Sequence, residues 1–159
     1  MDTAGDWNMK NDAIGVFDSG IGGLTAVKAL RALMPNENII YFGDTARIPY
    51  GSRSRETVLK YANEDISFLR KFPIKMIIAA CGTVSTILGT KSPVTDMPFT
   101  GVLLPSVQAA CGATRNGRIG VIGCDGFVSL AICGVCFGKR GAVEQSVDGK
   151  LCIGNGHGV

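Results

Sequence analysis

The sequence predicts an α/β fold, a parallel sheet with helices on both faces, and three observations carry that prediction. Short apolar runs rich in β-branched residues alternate with stretches whose apolar residues recur every three or four positions. Each run closes on a turn containing glycine, aspartate or serine. The chain has 159 residues and is 46% hydrophobic, enough for one ordinary domain with part of a second. Strand and helix in strict alternation argue for right-handed βαβ units and a sheet covered on both sides.

The elements follow in order. Residues 13–17 read as the first strand, closed by Asp18-Ser19-Gly20-Ile21-Gly22-Gly23. Leu24, Val27, Leu30 and Met34 then recur at helical spacing until Pro35-Asn36 breaks the pattern. Residues 38–42 form a second strand, followed by Gly43-Asp44 and a loop carrying Arg47, Pro49, Tyr50 and Gly51. Ser54 is placed to cap a helix whose apolar face is Val58, Ala62, Ile66 and Leu69. Residues 76–80 are a third strand that runs into Cys81-Gly82-Thr83-Val84-Ser85 and a third helix. Residues 99–104 and 118–123 read as further strands, with a helix over 106–114 between them. In a parallel sheet, Asp18-Ser19, Asp44 to Gly51 and Cys81 to Ser85 all fall at one edge. The carboxyl edge of such a sheet is where ligands bind.

Several function classes are disfavoured by composition. The net charge is +3 and the lysines and arginines are scattered, so no nucleic-acid-binding stripe is expected. No apolar run approaches the ~18 residues needed to cross a bilayer, so no membrane partner is expected. Residues 1–12 are polar and mixed in charge, without the apolar core of an export signal, and six cysteines then read as cytoplasmic thiols.

The crevice residues each allow two readings. Cys81 is either an inert buried thiol or a nucleophile or base at a helix N-terminus, where amides favour the thiolate. Asp18 and Ser19 lead a glycine-rich loop able to approach an anion, or make an ordinary βα turn. Tyr50 after Pro49 could cover the sheet edge or meet a ligand, and Arg47 could pair a carboxylate or stay solvated. Gly20 and Gly22 with Asp44 partly fit a dinucleotide fingerprint, but Thr25 stands where its third small residue belongs.

Four blocks carry a family resemblance. Ile14-Gly15-Val16-Phe17-Asp18-Ser19-Gly20-Ile21-Gly22-Gly23-Leu24-Thr25 resembles the opening of glutamate racemases in the aspartate/glutamate racemase family. Tyr41 to Gly51 is similar to their second signature, Ala80-Cys81-Gly82-Thr83-Val84-Ser85 to their first catalytic cysteine loop, and Gly117 to Gly123 to the strand that follows. The resemblance implies cofactor-independent interconversion of L- and D-glutamate, providing D-glutamate for peptidoglycan. It makes Cys81 the base on one face of the substrate, with Asp18, Ser19, Tyr50, Gly51, Gly82 and Thr83 as substrate contacts. Gly82 stands where the family often has asparagine, which removes one side-chain donor. No cofactor is implied, and glutamate is the small-molecule partner.

The chain departs from the family in its last third. The second catalytic cysteine of the family lies in a Gly-Cys-Thr-His block, and nothing here matches it. Cys124 follows Gly123 but precedes Asp125, and the lone His157 stands between glycines. The expected organisation is an N-terminal tail at 1–12, a first racemase-type domain at 13–98, the start of a second at 99–123 and a glycine- and cysteine-rich tail at 124–159. Such a chain would leave apolar surface uncovered and favour self-association, a possible homo-oligomer. In the tail, Cys133, Cys136, Cys152 and His157 have the count of a zinc set but no hairpin pattern around them, so no metal is expected. The alternative class is a non-catalytic small-ligand or nucleotide-binding module on the same scaffold.

Overall fold

The computed structural model describes residues 12–89 and 97–115, together with the backbone of strands at 118–122, 143–145 and 151–155. β1 (Ala13–Asp18), β2 (Ile39–Gly43), β3 (Ile74–Ala79) and β4 (Phe99–Gly101) form one parallel sheet in the order β2-β1-β3-β4. Helices α1 (Leu24–Leu33), α2 (Arg55–Leu69), α3 (Gly82–Leu88) and α4 (Leu103–Ala113) alternate with the strands. The α/β class read from the sequence is therefore the one observed. All six residues of β1 are buried, as a central strand with both faces covered requires.

The helices differ in how they use their apolar faces. α2 starts at Ser54, whose hydroxyl accepts from the Thr57 N–H at 3.3 Å, and it buries Val58, Ala62, Ile66 and Leu69 against β1 and β3. Burying a valine, isoleucine or leucine side chain contributes roughly 1.5–3 kcal/mol. Asp65 lies on the same face and is buried with them. α1 has no buried residue, and Leu24 and Leu33 at its two ends are exposed. α4 begins three residues earlier than its periodicity suggests, because Pro105 falls in the first turn, where a missing N–H leaves no bond unmade.

β4 pairs with β3, so the predicted boundary between residues 98 and 99 does not coincide with a break in the first sheet. A second sheet holds β5 (Arg118–Ile122), β6 (Val143–Gln145) and β7 (Leu151–Asn155) in the order β5-β7-β6, antiparallel throughout. Two of these strands lie in the tail where the sequence suggests no element. Val143–Gln145 is too short to display alternation, and Leu151–Asn155 ends in Gly154-Asn155, a turn-like pair. Cys124, Cys133, Cys136 and His157 lie outside the described residues, as does the side chain of Cys152. No helix among the described residues is long and apolar enough to cross a membrane.

Candidate active site

Strand register brings the first pair of site residues together. β1 and β3 set Phe17 beside Ala79, and the Ala80 N–H donates to Phe17 O at 2.7 Å. Two residues further along each strand, the Cys81 thiol donates to Ser19 Oγ at 3.3 Å. The chain leaves β1 toward β2 but leaves β3 toward β4, so the gap between these strand ends is the switch point of the sheet. Cys81 occupies the N-cap of α3 in extended backbone and is buried. Gly82 and Thr83, half-buried, open the helix behind it. Ser85 fixes that turn: its hydroxyl donates to Ala79 O at 2.9 Å and accepts from the Val102 N–H at 3.1 Å.

Asp18 is buried at the end of β1, and its Oδ2 accepts from the Gly23 N–H at 2.9 Å. Only glycine fits at position 23, because a Cβ there would lie 2.8 Å from both Asp18 Cβ and Ala80 Cβ. Gly43 is equally constrained, since its Cβ would stand 2.4 Å from Gly20 O. Tyr41, which the sequence did not single out, donates its hydroxyl to Gly20 O at 2.8 Å. Burial, then the Asp18 and Cys81 charges, raise the Tyr41 phenol, so it stays protonated and holds the glycine loop down. The signal was present: Tyr41 precedes Gly43 by two residues, on the same face of β2.

The opposite wall is ionic. Tyr50 is 1% exposed, and its hydroxyl meets Asp44 Oδ2 and, at 3.0 Å, Asp65 Oδ2. Arg47 donates to Asp44 at 2.5 Å, to Asp65 Oδ1 at 2.8 Å and to Glu64, and its guanidinium lies 4.3 Å from the centre of the Tyr61 ring. Partial burial opposes the Arg47 charge, yet its bonds to Glu64 and Asp44 raise its pKa further, so it is a permanent cation. Burial, the Asp44 bond and the Asp65 charge raise the Tyr50 phenol, which keeps its proton. Of the two readings open for Tyr50, the side chain takes the packing one: its phenol points into the core. Arg47 takes neither of its readings, being tied to three carboxylates of its own chain. Asp65 was missed, although an aspartate seven residues after Val58 and three after Ala62 interrupts an otherwise apolar stripe.

Comparison with known proteins adds the family context. No protein-family model matches the chain. Glutamate racemase of Chlorobaculum tepidum is 54% identical over 112 residues, covering 69% of this chain and 41% of that protein. Among solved structures, glutamate racemase isoform RacE1 of Bacillus anthracis aligns with a TM-score of 0.70 at 41% identity, covering 75% of this chain and 45% of that one. Glutamate racemase of Francisella tularensis, solved in complex with D-glutamate, aligns with a TM-score of 0.59 at 47% identity, covering 65% and 40%. The chain spans about two fifths of the length of the curated relatives it matches.

Proposed function

From its homology to glutamate racemases over 69% of its length, we propose that this chain carries one face of a cofactor-independent glutamate racemase site. The observation that supports the reading most is the Cys81 thiol lodged against Ser19 at the switch point of the sheet. As a thiolate, Cys81 removes the α-proton of glutamate from one side. Ser19, freed from the thiol, is within reach of the thiolate or of the substrate. Gly82 and Thr83 at the head of α3, together with the backbone of Tyr50 and Gly51, bind the carboxylates, and Asp18 orients the amino group. An acid on the opposite side must return the proton, because a base that returns its own proton regenerates the starting enantiomer. Among the residues whose side chains are described, the other cysteine is Cys111, exposed on α4. The product, D-glutamate, serves peptidoglycan synthesis, and the reading goes with a cytoplasmic enzyme and a homo-oligomer.

A nucleotide-binding module is disfavoured by two contacts. The Asp18 carboxylate takes the Gly23 N–H that a pyrophosphate would need, and Asp44 is engaged by Arg47 and Tyr50 instead of being open to a ribose. Thermal-shift measurements separate the classes: glutamate stabilises the chain, whereas NAD and ATP leave it unchanged. In deuterated water, at most slow α-deuterium incorporation with retained configuration is expected, abolished by Cys81→Ala. Rapid formation of the opposite enantiomer would overturn the one-face reading, and stabilisation by NAD or ATP alone would favour the module.

A further inference from the structure

Tyr50 poses a problem of proton count. Its single hydroxyl proton lies between two carboxylates, Asp44 Oδ2 and Asp65 Oδ2. It can be donated to only one of them, and a phenol oxygen facing an ionised carboxylate across 3.0 Å without a proton between them is repulsive. The arrangement is satisfied when Asp65 carries a proton on Oδ2. Asp65 then donates to the Tyr50 oxygen, Tyr50 donates to Asp44, and Asp65 Oδ1 still accepts from Arg47 at 2.8 Å. Charge count agrees: Arg47 faces Asp44, Glu64 and Asp65, so one cation stands against three acids. Among the three, the Asp65 side chain has no solvent exposure, while Glu64 is half exposed. Asp65 is thus where an ionised carboxylate is worst placed.

We propose that Asp65 is a positioning residue of the crevice: its protonated carboxyl, lodged beneath Tyr50, fixes the Pro49–Gly51 turn in the place where a ligand meets it. This deepens the racemase reading and rests on it for the identity of the ligand. The groups that face Asp65 are Tyr50 and Arg47 from the turn, Asp44 from the end of β2 and Glu64 from its own helix. The remainder of its surroundings on α2 is the apolar row of Val58, Ala62, Ile66 and Leu69. Burial pushes the Asp65 carboxyl up to about 6, with the Asp44 and Glu64 charges adding to that rise and the Arg47 charge acting against it. Above that pH the carboxyl ionises, the Asp65–Tyr50 bond has no proton, and Tyr50 loses its tie to α2, leaving Arg47 to hold the loop there. Glutamate itself changes protonation little between pH 5 and 8, so most of any change in its affinity there belongs to the protein.

The test follows Tyr50 in the full chain by NMR of ring-labelled [13C]tyrosine between pH 5 and 8. Tyr41→Phe and Tyr61→Phe assign the three tyrosine signals. The Tyr50 signal is expected to move with a midpoint near pH 6. Asp65→Asn, whose amide can donate to Tyr50 at every pH, makes the signal flat. Glutamate affinity should weaken about fivefold across the same range in the unmodified chain and stay constant in Asp65→Asn. A Tyr50 signal that never titrates, or one that still titrates in Asp65→Asn, overturns the proposal. The unmodified chain alone decides the first of these, so a misfolded variant does not protect the idea. Absence of glutamate binding at every pH would sink the racemase reading instead, leaving the Tyr50 titration to decide the role of Asp65.

Discussion

At the β1/β3 wall of the crevice, Ser19 and Cys81 meet through one contact of 3.3 Å between uncharged groups. At the β2/α2 wall, Arg47 reaches three carboxylates and Tyr50 reaches two. The first wall is held by strand register: backbone pairing of β1 with β3 delivers both side chains, and the contact between them adds little. The second is held by side chains, since the turn between β2 and α2 has no strand partner and must be tied down by charge. Strand register suits a pair of side chains that need no ion pair to meet. Side-chain charge suits a loop whose task is to hold still.

The contrast can be broken experimentally, and the largest effect is expected at Arg47. Arg47→Met leaves Asp44, Glu64 and Asp65 clustered without a cation, which should cost about 3 kcal/mol of unfolding free energy in urea titrations near neutral pH. A loss below about 1 kcal/mol would mean that the ionic wall is solvated and holds nothing. Asp65 gives the next effect, and its sign is fixed by the direction of its shift. The carboxyl holds its proton to a higher pH in the folded chain than in the unfolded one. Its stabilising proton is therefore fully present below the unfolded value near 4. It is lost as pH rises through about 6. Comparing the unmodified chain with Asp65→Asn from pH 4 to 7.5, the variant should gain relative stability with rising pH, by at most about 2–3 kcal/mol. A constant difference over that range would show that Asp65 does not titrate there. Ser19→Ala should have the smallest effect on stability, under about 1 kcal/mol, because only one hydrogen bond between uncharged groups is removed. Destabilisation as large as that of Arg47→Met would erase the distinction between the two walls.

Much of the fold was legible because it depends on local pattern. The apolar runs of β1 and β3, the cap at Ser54 and the stripe of α2 are all visible as spacing. The start of α4 was not, because Pro105 reads as a breaker unless the first turn is known to surround it. β6 and β7 were not, because antiparallel partners far apart in sequence confirm each other only once paired. The site was legible in the same uneven way. Asp18, Ser19 and Cys81 are strand-end residues whose placement follows from strand order. The role of Tyr50 depends on Asp65, fifteen residues away on a helix, and no spacing rule links them.

The sequence by itself determined that strands and helices alternate, that Cys81 ends a strand and begins a helix, and that three loops share one sheet edge. Periodicity and turn chemistry act over a few residues, so they can be read without coordinates. Tertiary structure alone decided that the Tyr50 phenol faces inward, that Arg47 is committed to its own chain, and that Asp65 is buried beneath the turn. It also left Leu24 and Leu33 of α1 exposed and Val27 and Leu30 only half-buried, while burying Val58, Ala62, Ile66 and Leu69 of α2. Burial and ion pairing are set by what packs across the gap between elements, and that partner is fixed only when the sheet has closed its order.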